Sequence, residues 1–423
     1  MSTRNGIGTI VRWGLLATGV AGGLSRRGCR MRLRSLGVAA VITLAVLAAG
    51  PIPLAGSDTG AASSALPDSL RALAAKVRLP VGTVIIPFDL DNPNYSQIAA
   101  DQFSSVTAGN EMKWQVVEPT QGVLDFSGGD RLVQFAQANG QLVRGYTLLW
   151  HNQLPNWLTT GVANGTISND QLRSLLQQHI TDEVTHFKGQ IWQWDVANEF
   201  FANAFDPNPN PLADGINGND FWVSHLGEGV VADAFRWARA ADPHVLLFYS
   251  DFNIAGEDGT DAKSDAVFAW VQQMRAAGVP IDGVADEGHP DTQFGFPTQM
   301  QQDLQRLADV GLKVAITQAD VRTFVTDPTT QQPTDRLAVF AHAHFYDQML
   351  KACLAVRSCI SFTVSGFGDA DSQVPGFFKG EGYAAIYDVN LQPKPAFTDL
   401  QQDLQLAKRG ALHRPQMPCC IHG

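Results

Sequence analysis

Eight short apolar runs, at positions 81–86, 105–108, 142–149, 191–196, 245–249, 283–285, 314–317 and 360–364, alternate along this chain with longer stretches. Helical patterns occupy 129–138, 169–187, 227–240, 261–277, 299–310 and 334–356 between them. Repeated strand–helix alternation implies a parallel sheet rather than a sandwich, and eight such units close into a barrel. The expected fold is therefore α/β: a (β/α)8 TIM barrel in a single domain. A length of 423 residues accommodates one barrel of roughly 250 to over 400 residues with a leader and a tail. Apolar residues make up 45% and charged ones 17%, enough for a packed core.

Such barrels carry their active groups at the C-terminal ends of the strands. Polar and aromatic residues should then collect just after each apolar run, and they do. In order they are Asn110, Glu111 and Lys113; Tyr146, Trp150 and His151; Asn198 and Glu199; Asp251 and Asn253; Glu287 and His289; Gln318 and Asp320; and Asp369. A strand ending in Asn198-Glu199 presents a carboxyl at the barrel mouth with an amide beside it to hold a hydroxyl. That suits glycoside hydrolysis, which uses two carboxyl groups, ~5–5.5 Å apart in retaining enzymes and ~6.5–9.5 Å apart in inverting ones. The bland alternative is a surface Glu capping the next helix.

Other chemistries find less support. A net charge of -11 repels a phosphate backbone, so no nucleic-acid partner is expected. His342 and His344 lie two apart in a helical stretch and point to different faces, and no His-Glu-x-x-His or Cys-x-x-Cys occurs, so no metal is expected. No Gly-x-Ser-x-Gly elbow follows a strand, and no Gly-x-Gly-x-x-Gly follows the first one, so neither a serine nucleophile nor a dinucleotide cofactor is expected.

Five ordered motifs narrow the reading further. Asn110-Glu111-Met112-Lys113-Trp114, Trp150-His151-Asn152-Gln153-Leu154-Pro155, Asp195-Val196-Ala197-Asn198-Glu199, Tyr249-Ser250-Asp251-Phe252-Asn253 and Pro393-Lys394-Pro395-Ala396 resemble segments of the glycoside hydrolase family 10 xylanases, in family order. The resemblance covers residues 66 to 403 or thereabouts. It implies that Glu199 is the acid/base carboxyl and that Asn198 holds a 2-hydroxyl. It also implies that Asn110, Lys113 and Gln153 bind sugar on the non-reducing side, with Trp150 against the ring at the cleavage point. Cys353 and Cys359, which read by themselves as either a short disulfide clip or two buried thiols, match a family disulfide. The implied partner is a polysaccharide or oligosaccharide, the implied cofactor none, and a monomer is expected.

The departures fall on the reacting centre. The family nucleophile is the Glu of a seventh-strand Thr-Glu-Leu-Asp, and here that segment is Thr317-Gln318-Ala319-Asp320. An amide carries no charge and is not the expected nucleophile. The family's sixth-strand Gly-Phe-Gln-Ser-His aligns with Ala285-Asp286-Glu287-Gly288-His289, so Gln and Glu are interchanged between neighbouring strands. Tyr146 stands for a His, Ser365 for a Trp, Gln373 for a second Trp, and Gly109 for a Glu. Three expectations follow. The second carboxylate has moved to Glu287; or the barrel binds glycans as a catalytically impaired pseudoenzyme; or it hydrolyses a different sugar.

The N-terminal part reads as an export leader. Arg26, Arg27, Arg30, Arg32 and Arg34 form a basic run, residues 36–50 are uncharged and mostly apolar, and small residues follow, with cleavage expected near Gly56 or Ala62. The boundaries are a leader over 1–56, a linker over 57–65, the barrel over 66–408 and a tail over 409–423. A secreted, extracellular protein is expected, with a retained membrane anchor or wall association as the alternative.

Overall fold

The computed structural model describes residues 66–409, apart from 204–209, 258, 328 and 334. The leader, its basic run, the linker and the tail with Cys419 and Cys420 lie outside the described residues. Strands β1 (Val81–Ile85), β2 (Ser105–Ala108), β3 (Leu142–Leu149), β4 (Gln193–Asn198), β5 (Leu246–Phe252), β6 (Gly283–Glu287) and β7 (Lys313–Ala319) pair in sequence order. A two-residue strand β8 (Thr323–Phe324) leaves the barrel, β9 (Cys359–Val364) returns to close it between β7 and β1, and β10 (Glu381–Gly382) pairs antiparallel with β8. All barrel pairings are parallel. The chain thus forms the expected (β/α)8 barrel.

Side chains pack the interior of the barrel. Phe248, Ala285 and Ala315 form a buried cluster inside it, with Leu246 and Ile360 packed alongside. Gly283 makes room for this layer: a Cβ there would stand 2.4 Å from the Phe248 ring. Outside the sheet, apolar helix faces complete the larger core, as with Leu172, Leu176, Ile180 and Val184 along Asn169–His186. That helix opens on a capping box in which Ser168 accepts from the Gln171 amide nitrogen and Gln171 accepts from that of Ser168. Helix Leu70–Val77 packs against the final helix Pro395–Arg409. A disulfide joins Cys353, near the end of helix Arg336–Ala355, to Cys359 at the start of β9.

Four strands run farther toward their C-termini than the apolar pattern indicates. β4 reaches Asn198 rather than Val196, β5 Phe252 rather than Tyr249, β6 Glu287 rather than Ala285, and β7 Ala319 rather than Thr317. The extra residues are largely polar, so apolar periodicity misses them, yet they still pair with their neighbours: Asn198 with Ser250, Asp251 with Asp286, and Glu287 with Thr317. Polar side chains are thereby fixed on rigid strands at the barrel mouth.

Candidate active site

Glu199 follows β4 directly with φ 59°, and Gln318 lies near the end of β7 with φ 54°. Both are left-handed, a conformation uncommon for non-glycine residues and concentrated at functional sites. Each turns its side chain where a regular strand would not.

Glu199 is gripped at both oxygens. Trp150 Nε1 donates to Oε2 at 2.9 Å, and Asn198 Nδ2 to Oε1 at 3.1 Å. Trp222 Nε1 in turn donates to the Trp150 carbonyl at 2.8 Å, fixing the backbone from which that indole projects. Asn198 Nδ2 also donates to Tyr146 Oη at 3.1 Å, and Tyr146 Oη donates to Glu287 Oε1 at 3.4 Å. Glu287 is buried, and its Oε1 further accepts from Ser250 Oγ at 3.2 Å and from Gln318 Nε2 at 2.6 Å. One hydrogen-bond path therefore links Glu199 to Glu287. Laid end to end, its three contacts of 3.1, 3.1 and 3.4 Å are about as long as the ~9.5 Å limit of an inverting pair. The direct separation cannot exceed that path, and both the retaining and the inverting ranges fall within it.

Burial pushes the Glu287 carboxyl up to about 8, and the nearby charge of Glu199 adds to the effect. Burial raises the Glu199 carboxyl too, against the lowering field of His151. His289 lies beside Asp320, Nδ1 to Oδ1 2.9 Å. Burial alone would lower this imidazole, but Asp320, with Glu287 and Glu199 behind it, lifts it to about 9.

Asn110, Lys113 and Gln153 come together beside the Tyr146 and Trp150 rings. Asn110 Oδ1 accepts from Gln153 Nε2 at 3.0 Å and from Lys113 Nζ at 3.3 Å. The ammonium of Lys113 lies 5.2 Å from the Tyr146 ring centre and 5.1 Å from that of Trp150. Burial lowers Lys113 to about 8, against the raising fields of Glu199 and Glu287.

Two other strand-end carboxylates are occupied elsewhere. Asp251 pairs with Lys263 at 2.6 Å and accepts from Tyr249, and Asp369 pairs with Lys394. His342 is buried against Tyr346 and Tyr383. Sequence reasoning missed Ser250 as a Glu287 partner, although it lies within one of the quoted motifs. It also missed the buried Arg144–Asp195 pair in the strands behind Tyr146. Buried Asp195 is part of the quoted acid/base segment, and its need for a cation was a usable signal.

The glycosyl hydrolase family 10 model matches residues 69–403. An endo-1,4-beta-xylanase of Agaricus bisporus is 39% identical over 308 residues, covering 73% of this chain and 85% of that protein. Endo-1,4-beta-xylanase A of Phanerodontia chrysosporium is 37% identical over 330 residues, covering 76% and 74%. The crystal structure of xylanase 10B from Thermotoga petrophila RKU-1 in complex with xylobiose matches with a TM-score of 0.72 at 31% identity, covering 80% of this chain and 98% of that one. The chain belongs to glycosyl hydrolase family 10, a family of O-glycosyl hydrolases.

Proposed function

We propose that this protein is an endo-acting hydrolase of β-1,4-linked polysaccharide, with xylan as first substrate, Glu199 as proton donor and Glu287 as the second carboxyl. The glycan follows from kinship to proteins named endo-1,4-beta-xylanase. The observation that carries the chemistry is the 2.6 Å hydrogen bond from Gln318 to Glu287. The carboxylate missing from position 318 has its counterpart one strand away, bound to the amide that replaced it. The second carboxyl is thus set back by one hydrogen bond, which leaves space for a water between it and the sugar.

In this scheme protonated Glu199 gives its proton to the glycosidic oxygen as the bond to the anomeric carbon breaks. Ionised Glu287 takes a proton from the attacking water on the opposite face of the ring. The product has inverted configuration, Glu199 ends ionised and Glu287 protonated, and the pair as a whole has neither gained nor lost a proton. Asn110, Lys113 and Gln153 hold the non-reducing side, and Asn198 a hydroxyl at the cleaved ring. The basic run and apolar stretch of the leader support export of a protein acting on extracellular polymer.

The test is a polysaccharide panel with the purified protein. New reducing ends from xylan are expected, lost in Glu199→Gln and Glu287→Gln. Unchanged turnover by Glu287→Gln overturns the role given to that residue. A second reading, a carbohydrate-binding barrel without turnover, is favoured by one observation: a Glu287 carboxyl raised to about 8 stays largely protonated at neutral pH. Tight binding with no product after long incubation, and activity created by Gln318→Glu, would identify it. A third, cleavage of a substituted or different glycan, is favoured by Ser365 and Gln373 where the family has aromatic walls. The same panel separates it.

A further inference from the structure

A second concavity lies outside the barrel mouth. It has a volume of about 560 Å³ and is bounded by Gln121, in the loop after β2, and by helices Asn156–Ala163 and Asn169–His186. That is within the ~300–1,000 Å³ of small-molecule sites. Its lining includes Trp157 and Leu175 among polar Gln121, Thr166, Asp170 and Ser174. Trp157 Nε1 is already committed, donating to the Glu118 carbonyl at 2.9 Å. What the half-buried indole can still offer a ligand is its ring, edged by the Gln121 amide and by the Thr166 and Ser174 hydroxyls, which donate to Gly161, Asn164 and Asp170 and can act toward a ligand as acceptors.

The lining selects against charged ligands. Among the described residues no lysine or arginine lines the concavity, so a phosphate or carboxylate would find no counter-charge there, and Asp170 would repel it. A neutral ring with apolar faces and a polar rim matches an aromatic surface edged by hydrogen-bonding groups. A short hydrogen-bond relay runs from the concavity to the segment that carries Lys113. Glu118, whose carbonyl holds Trp157, accepts from Trp114 Nε1 at 2.8 Å, and Trp114 adjoins Lys113.

We propose that this concavity is a second saccharide site, separate from the catalytic cleft, that holds a neutral pyranose segment of the polymer being cut. The choice of xylan rests on the proposed function. A polymer anchored there raises the effective concentration of its other segments at the cleft.

The experiment titrates the full chain carrying Glu199→Gln with xylohexaose by calorimetry, with and without Ser174→Trp. Ser174 is exposed on its helix, so the substitution fills the concavity with little demand on the core. A Gln121→Ala/Thr166→Ala variant serves as the second probe. Two binding events are expected in the parent and one in each variant. Adsorption to insoluble xylan should fall several-fold while Ser174→Trp in the Glu199 background hydrolyses xylohexaose at the parent rate. A single event in the parent, or a second event that survives both variants, overturns the inference and leaves the cleft assignment standing. Absence of any binding overturns the choice of xylan as well.

Discussion

Gln318 Nε2 donates to Glu287 Oε1 at 2.6 Å across the edge between β6 and β7, so an amide and a carboxyl that could have occupied either strand end hold each other in place. The left-handed backbone at Gln318 keeps its side chain at the mouth even though it carries no charge. Single and double exchanges then have distinct consequences. Glu287→Gln removes the base and should lower kcat by roughly 10²–10⁴-fold. The double exchange Glu287→Gln/Gln318→Glu returns a carboxylate to position 318, within reach of direct attack. It should recover activity and switch the product from inverted to retained configuration, read by proton NMR of the newly formed anomer. A double variant that is inactive, or a wild-type protein that already retains, contradicts the set-back geometry.

The same pair sets the pH dependence. Catalysis needs one proton shared between Glu199 and Glu287, and the two titrate as a unit. As pH rises the shared proton is lost, Glu287 giving up its own near 8, and the leaving oxygen then receives none. As pH falls, both become protonated and water finds no base. Because burial raises both groups, the acidic limb should lie above the ordinary carboxylate range, placing the optimum near neutrality. Stability carries a matching signature. Glu287 has a folded value raised above its ordinary 4.5, so its contribution is full below about pH 4.5 and is lost as pH rises through about 8. Melting temperatures from pH 5 to 8 should decline more steeply for wild type than for Glu287→Gln.

The barrel was legible because eight apolar runs report buried strands wherever they occur, independent of what lies at their ends. The site was legible in its parts. Glu199, Asn198 and Trp150 were singled out from their motifs, and the structure brings them together, with the Trp150 indole N–H on Glu199. The joining of Glu199 to Glu287 through Asn198 and Tyr146 was not legible, because it depends on side chains from β3, β4 and β6 meeting across the mouth. Strand ends were misjudged by two or three residues at four strands for the same reason that makes them functional: the last residues are polar, and apolar periodicity stops before the ladder does.

Tyr146 takes the place of a family His and bridges the carboxyls, receiving from Asn198 and donating to Glu287. Tyr146→Phe keeps the ring beside Lys113 but deletes both hydrogen bonds. A hydrogen bond of this kind contributes roughly 0.5–1.5 kcal/mol, and each 1.36 kcal/mol is tenfold in rate. With two such bonds lost the variant should lose roughly five- to a hundredfold in kcat with little change in KM for a xylo-oligosaccharide, and the Glu287 carboxyl, short of one donor, should titrate higher. A loss in KM alone would place Tyr146 in sugar binding instead.

Lys394 provides a test of scaffold rather than chemistry. Its ammonium donates to both oxygens of Asp369 at 2.9 Å, both side chains are buried, and the pair ties the loop after β9 to the start of the last helix. Burial pulls the lysine down to about 8 and pushes the aspartate up, so the pair costs desolvation on both sides. Asp369 Oδ1 also accepts from the Ala385 amide at 2.9 Å. Lys394→Met would leave that carboxyl buried with a single backbone donor, and the chain should lose about 3–5 kcal/mol in urea denaturation. Replacing both members with apolar residues should restore part of this, though less than usual because the Ala385 N–H then has no acceptor. Turnover per folded molecule should stay at the wild-type value in both, since neither residue touches Glu199 or Glu287. A selective fall in kcat at unchanged stability would mean that the pair acts on the site and not on the frame that carries it.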